Sequence, residues 1–513
     1  DHKTGFFRLI DVWPESPDGH PASEAKYRFQ WTAPLMLSPH DPHELYAAGN
    51  RLFKTINEGQ HWTAISPDLT RHDPATLGIA GGPITADQTT AEYYGTIFAL
   101  AESPMVKGEL WTGSDDGQLH LSHDDGVTWS DITPKQFGEF TRVSSIEPSH
   151  FARGTAYVAV NRYQMEDMAP YIWKTADYGK TWTRIDRGLP QTEFVRVVRE
   201  DPLKRGLLYA GTERGVWVSF DDGATWKSLR RNLPIVPVHD LAIKDGDLVA
   251  ATHGRGFWIL DDISPLRQMT DAIASAPAHL FKPQDAWRVL WGNPGEPDAS
   301  HPVGMNPPDG AIIYYSIAQP HQIVTVDILD AQHKRIRSFS SVQDSLSRAD
   351  SAHADSVHHV EVDSTRKAKN DSLLAAGKQP DTTKVTYGGE EAGAGEEEKP
   401  WPQRVPPEPR APDKPGINRF AWDLRYPGVQ GFAGMMDVQT DGPIALAGRY
   451  GVRVHVGDWT DSASFVIKED PRVHATPADL AAQFAFLQRV RDTTNAGTMA
   501  VISHDREFLD AVT

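Results

Sequence analysis

The sequence predicts an all-β fold, a β-propeller of about five blades followed by a small β-sandwich, and three observations carry that expectation. The first is a repeated phrase. LSHDDGVTWS (121–130) returns as TADYGKTW (175–182) and SFDDGATW (219–226), with a weaker copy in TINEGQHW (55–62). The second is what precedes each copy: a pair of β-rich runs such as ELWTGSDDGQLHLS or LLYAGTERGVWVS, with another apolar strand upstream. The third is spacing. The closing tryptophans fall at positions 62, 129, 182 and 226, close to the roughly 40–50 residues of one four-stranded blade with an insertion in the first interval. A fifth unit, DLVAATHGRGFWILDD, keeps two strands and loses the Gly-x-Thr-Trp ending.

Each phrase reads as a staple for a tight turn. The acid can accept backbone N–H groups, the glycine supplies a positive φ, the hydroxyls tie down strand ends, and the indole fills space between sheets. The structural set is Ser122, Asp124, Gly126 and Trp129; Thr175, Asp177, Gly179 and Trp182; and Ser219, Asp221, Gly223 and Trp226. Near-copies at this many places imply scaffold rather than a catalytic carboxylate. Gly179-Lys180-Thr181 is not a phosphate-binding loop, because Lys174 stands where that loop needs its first glycine.

These phrases resemble the Asp-box, or BNR, repeat of sialidases, xyloglucanases and the sortilin ectodomain, over about half of the chain. The resemblance implies the propeller and leaves function open, since the repeat occurs in enzymes and receptors alike. Sialidases use an arginine triad for the substrate carboxylate and a Tyr/Glu nucleophile pair. Here Arg142, Arg196 and Arg199, with Glu92 beside Tyr93 and Tyr94, are of the right types, but none matches a family motif position. Xyloglucanases place two aspartates between two propellers, a cleft that one partial propeller cannot reproduce. A glycosidase also needs two carboxyls at a set separation. Asp115, Asp116, Glu166, Glu213 and Glu92 are the candidates, and no catalytic residue is assigned.

Composition bounds the partners. The chain has 513 residues, a formal net charge of −18 and no cysteine. That charge argues against nucleic acid, and no apolar run is long enough to span a membrane. The absence of cysteine removes disulfides, thiolate metal sites and a thiol nucleophile. No cofactor or metal is expected. DHKTGFFRLIDVW, at the start, reads as the outer strand of a preceding blade, with residues 1–29 as strand and linker and the propeller proper over 30–265. An upstream propeller half is therefore a possible partner.

Alternate turns of an up-and-down sheet lie at opposite ends, so ligand contacts are expected at the loop face away from the Asp-boxes. Its candidates are Arg162, Tyr163, Glu166, Glu213, Arg214, His253 and Arg255. The long crossover over 66–94 would cover that mouth.

The second half reads as a sandwich split by an insertion: residues 266–340, a disordered segment over 341–416, and 417–472. AIIYYSI, QIVTVDI and YGVRVHV carry strand patterning. NRFAWDLRY followed by GRYGVRVHVGD resembles immunoglobulin-like domains of the FlgD C-terminal type, which implies an extracytoplasmic (periplasmic or secreted) setting. His353, His358 and His359 in the insertion lack a scaffold for metal binding. Residues 473–495 form a helix capped by Thr476 with Pro477 at its first position. Residues 496–513 resemble a strand segment of ABC ATPases, with His504 as the switch histidine. No phosphate-binding loop accompanies it, so no ATPase activity is expected. The leading functional expectation is a propeller binding a peptide or glycan without catalysis. A glycoside hydrolase whose acids lie partly outside this chain, and a cell-envelope scaffold, are the alternatives.

Overall fold

The computed structural model describes residues 4–15, 19–79, 93–289, 304, 306–342, 367, 409–429 and 441–502. Two compact units divide the chain between Met269 and Thr270.

The first unit is five consecutive antiparallel sheets. Blade 1 holds β1 (Leu35–Leu37), β2 (Leu45–Ala48), β3 (Leu52–Thr55) and β4 (Thr63–Ala64). Blade 2 holds β5 (Ile97–Glu102), β6 (Leu110–Ser114), β7 (Leu119–Ser122) and β8 (Ser130–Asp131). Blade 3 holds β9 (Arg142–Pro148), β10 (Ala156–Arg162), β11 (Asp167–Thr175) and β12 (Thr183–Arg184). Blade 4 holds β13 (Val195–Glu200), β14 (Leu208–Thr212), β15 (Val216–Ser219) and β16 (Lys227–Ser228). Blade 5 has three strands, β17 (Val238–Lys244), β18 (Asp247–Thr252) and β19 (Phe257–Leu260). Strands pair in chain order, each with its neighbour, as the repeated unit requires.

The Asp-boxes staple as their chemistry dictates. In blade 2 the Ser122 hydroxyl donates to Asp124 (2.9 Å) and accepts from the Gly126 amide (2.9 Å). Asp124 in turn accepts from the amide and hydroxyl of Thr128 (2.8 and 2.7 Å). Those bonds, first from the Thr128 hydroxyl and then its amide, hold the Asp124 carboxyl below its ordinary range. The indole of Trp129 reaches back to the carbonyl of Ile65 in blade 1 (3.1 Å). Trp182 does the same to Ile132 (2.9 Å), and Trp226 to Ile185 (2.6 Å). Gly126 has φ +87°, and a Cβ there would lie 2.6 Å from the Ile65 carbonyl oxygen. Only glycine lets the two blades approach this closely.

Between blades the cores are apolar: Trp111, Val143 and Val158 join blades 2 and 3, while Tyr209, Val238 and Leu248 join blades 4 and 5. Helix α1 (Ser264–Gln268) stays with this unit, because Arg267 donates to the buried Asp201 (2.9 and 3.0 Å) and Leu266 packs on the last core. The propeller unit therefore runs a few residues beyond position 265.

The second unit is a two-sheet sandwich. After α2 (Asp271–Ser275), β20 (Ala278–Leu280), β22 (Ala311–Ile317) and β25 (Gly416–Trp422) form one sheet. The other runs in the order β21 (Ala286–Arg288), β27 (Trp459–Glu469), β26 (Gly448–Val456), β23 (Val324–Leu329) and β24 (Arg335–Ser340). One core, including Tyr315, Val326, Trp422, Val452 and Phe465, fills the space between them. β20 and β21 fall in a stretch that reads as a helical or irregular link in the sequence; each is three residues, too short for periodicity to register. β21 lies parallel to β27.

Helix α3 (Pro477–Ile502) starts as expected, with the Thr476 hydroxyl accepting from the Asp479 amide (3.2 Å). It continues through Ile502, so Ala496–Ile502 is helical and not the strand that the ABC-type resemblance implies. His504, the histidines of the insertion and Glu92 lie outside the described residues.

Trp226 is 4 % exposed and bridges blades 3 and 4. Trp226→Ala is expected to destabilise the propeller by about 3–5 kcal/mol. Trp226→Phe, which keeps most of the volume and loses the bond, should cost about 1–2 kcal/mol. Urea unfolding followed by circular dichroism checks both.

Candidate functional site: the axial channel

All five inner strands line one cavity of about 380 Å³. It is built by a recurring irregularity. In blades 2, 3, 4 and 5 the inner strand skips one residue of its ladder, at Phe98, Ser144, Arg196 and His239. Each skipped residue lines the cavity. A bulge of this kind re-aims a side chain out of the sheet, here toward the axis.

Three arginines line the wall, and their pairing differs. Arg199 is tied to Asp240 (2.8 Å) and Glu147 (3.3 Å). Arg196 donates twice to Glu213 Oε2 (2.9 and 2.7 Å). Arg142 has no carboxylate at ion-pair distance among the described residues. Its guanidinium donates to Gln164 Oε1 (2.8 Å) and weakly to the Tyr163 hydroxyl (3.4 Å), and lies over Phe98 at 4.8 Å. Its Nε is buried without a hydrogen-bond partner among the described residues. Asn161, 3 % exposed on the adjacent strand opposite Arg142, has Oδ1 in the same condition, while its Nδ2 donates to the Val195 carbonyl (3.4 Å). Buried polar atoms without partners are rare and costly. Two belong here to residues directly opposed on neighbouring strands, one a donor and one an acceptor.

An aromatic ledge flanks this pair. Tyr163 stacks on Phe194 (4.7 Å between centroids, 12° between planes), with Arg142 and Arg196 each 5.6 Å from the Tyr163 ring. Beyond Arg196, His239 Nε2 meets His253 Nδ1 at 3.2 Å. Partial burial, then Arg196 and His253, hold the His239 imidazole below its usual pKa.

Of the residues expected from sequence, Tyr163, Glu213 and His253 each contact a residue of this wall, Arg142, Arg196 and His239 respectively, without lining the cavity themselves. Four do not join them. Arg162 folds away from the channel, bonded to Asp167 (3.1 Å) and the Glu139 carbonyl (3.2 Å). Glu166 sits exposed at the tip of its turn with φ +60°. Arg214 lines a separate hollow with Glu193, Trp217 and Arg230. Arg255 is exposed, and its carbonyl accepts from the Trp258 indole (3.1 Å). Phe98 and His239 are not legible as site residues, because nothing in sequence marks a bulge, and Asn161 and Phe194 enter only through their neighbours Arg142 and Tyr163. Arg142, Arg196 and Arg199, considered only as a triad of the sialidase kind, do line one cavity. Arg196 and Arg199 are each tied to carboxylates of their own.

Of the carboxyls considered for catalysis, Asp115 and Asp116 are engaged elsewhere. Asp115 is 4 % exposed and accepts from the Gly95 and Thr96 amides, the Thr96 hydroxyl and Gln30. Asp116 is equally buried and accepts from the Arg71 amide and the Ser114 hydroxyl. Among the described residues no group of three or more acids and histidines could hold a metal ion.

The profile of one protein family, described as sortilin, neurotensin receptor 3, matches residues 117–240. No curated protein matches the chain. Among solved structures, the glycoside hydrolase family 74 xyloglucanase from Xanthomonas campestris is similar at 18 % identity and a TM-score of 0.34. The match covers 48 % of this chain and 39 % of that one. YCF48 bound to D1 peptide is similar at 19 % identity and a TM-score of 0.26, over 32 % of this chain and 51 % of that one. This chain thus aligns with about half or less of the length of either. No helix among the described residues is long and apolar enough to cross a membrane.

Burial, with help from Asp116, raises the Asp115 carboxyl to about 7. The folded state then binds more protons than the unfolded chain between about pH 4 and 7, so stability falls as pH rises through that window. Asp115→Asn should flatten this slope, as measured by the midpoint of urea unfolding at pH 4.5 and 7.5.

Proposed function

We propose that this protein binds an anionic peptide or glycan in the axial channel, at the loop face opposite the Asp-boxes, without catalysis of its own. The observation that carries this is Arg142: a guanidinium in a lined cavity, with no carboxylate at ion-pair distance among the described residues, on the strand opposite Asn161, whose oxygen has no partner among them either. A ligand carboxylate meeting Arg142 would complete a charge-assisted pair, and an N–H or O–H group beside it would satisfy Asn161. Phe98, Tyr163 and Phe194 offer the apolar surface that such a ligand presents between its polar groups. The tied-up state of Asp115, Asp116 and Glu213 supports binding over glycoside hydrolysis. An extracytoplasmic setting, periplasmic or secreted, belongs to the same reading.

Arg142→Met keeps the stem and removes the charge. In calorimetric titration against acidic peptides and uronate-containing oligosaccharides, it should weaken binding by about 10- to 100-fold, the worth of a charged hydrogen bond. Arg162→Ala should leave binding unchanged. Equal binding by Arg142→Met and the unaltered protein would remove the channel from consideration. Release of reducing ends from a β-glucan panel would instead favour the glycosidase.

A further inference from the structure

Two arginines of the channel wall lie against the same ring and are met by the same kind of turn, but with different chemistry. The guanidiniums of Arg142 and Arg196 are each 5.6 Å from the Tyr163 ring. Each is also held by a residue from the turn between the second and third strands of its own blade. In blade 4 that residue is Glu213, directly after β14, whose Oε2 accepts from Arg196 Nε and Nη2 (2.9 and 2.7 Å). In blade 3 it is Gln164, between β10 and β11, whose Oε1 accepts from Arg142 Nη2 (2.8 Å). A carboxylate cancels the charge it binds. An amide oxygen makes the hydrogen bond and leaves the cation its charge.

The other surroundings of Arg142 preserve that charge. The Phe98 ring lies 4.8 Å from the guanidinium, and the Tyr163 hydroxyl accepts weakly from Nη1 at 3.4 Å. Of the five N–H groups an arginine carries, two are used among the described residues. Asp115 lies near enough to feel Arg142, and burial raises its carboxyl to about 7, which reduces the charge it carries at neutral pH. Gln164 is itself exposed, in the short 3-10 segment Tyr163–Met165, so packing does not demand an amide there. An arginine whose long stem is already aimed loses less freedom when a ligand arrives than one that is not.

We infer that Gln164 is a positioning residue that sets the channel's charge specificity: it aims the Arg142 guanidinium and leaves its charge for the ligand. The inference rests on the anion-binding reading of the channel. Blade 4 shows the alternative within the same molecule, since Glu213 holds Arg196 just as firmly and neutralises it. Gln164→Glu would put a carboxylate where the ligand's own carboxylate has to compete, and so close the site to anions.

Titrated calorimetrically with a tetraglutamate peptide and with trigalacturonate, Gln164→Glu should bind about 10- to 100-fold more weakly than the unaltered protein, the same loss as that of a charged hydrogen bond. Gln164→Ala loses the aim and keeps the charge, so its affinity should fall between the two. A purely structural role predicts the reverse order, because glutamate keeps the shape of the side chain and alanine does not. Weaker binding by Gln164→Ala than by Gln164→Glu would therefore overturn the inference. Phenylglyoxal labelling, read by mass spectrometry, needs no ligand. Arg142 of the unaltered protein should react faster than Arg196, and Gln164→Glu should slow Arg142 toward the Arg196 rate. Unchanged labelling of Arg142 in Gln164→Glu would also overturn the inference. Weakened binding by Arg142→Met together with unaltered binding by Gln164→Glu would overturn it and leave the anion-binding reading standing. Equal binding by Arg142→Met and the unaltered protein would remove that reading, and this inference with it.

Discussion

One hydrogen bond sets the spacing of the propeller: an Asp-box indole N–H donated to a carbonyl one blade back. Such a bond contributes only about 1 kcal/mol net, but its geometry is demanding. The indole can reach only if the intervening glycine lets the turn press on the isoleucine, and the turn holds that shape only if the Asp and hydroxyl staple is made. Trp129, Trp182 and Trp226 repeat the arrangement with bond lengths between 2.6 and 3.1 Å. Blade-to-blade geometry is therefore set at the outer strands, by polar groups, and only then filled by apolar packing nearer the axis.

The channel inherits its character from that division. Because the outer staples hold the blades in register, the inner strands are free to deviate, and four of them do so at the same relative position. The bulges deliver Phe98, Ser144, Arg196 and His239 to one space. The cavity therefore brings together residues that are far apart in sequence and share no motif. Most of its charge is neutralised locally, Arg196 by Glu213 and Arg199 by Glu147 and Asp240. Arg142 stands out for electrostatic reasons, since every other arginine on the wall has its own acid.

Parts of this were legible in advance and parts were not, for identifiable reasons. Ser122, Asp124, Gly126 and Trp129 act within a few residues of one another, so their spacing announces their role. Tyr163, Glu213 and His253 were reachable from topology, since turns between second and third strands share one end. Arg162 and Arg214 satisfied the same criterion and turned elsewhere: Asp167 is five residues from Arg162 and captures it, a competition that no pattern of loop residues reveals. The short strands β20 and β21 escaped because three residues carry no periodicity; their sheets recruit them from a distance.

The sequence by itself determined what depends on local chemistry. It specified the blade unit, the turn that closes it and the number of repeats. The tertiary structure decided what depends on contact between distant residues: which arginine is paired with acids of other blades, and which bulged side chains share a cavity. The physical reason is range. A staple is made within one turn of chain, whereas a charge balance or a shared cavity exists only once separate blades have been brought together.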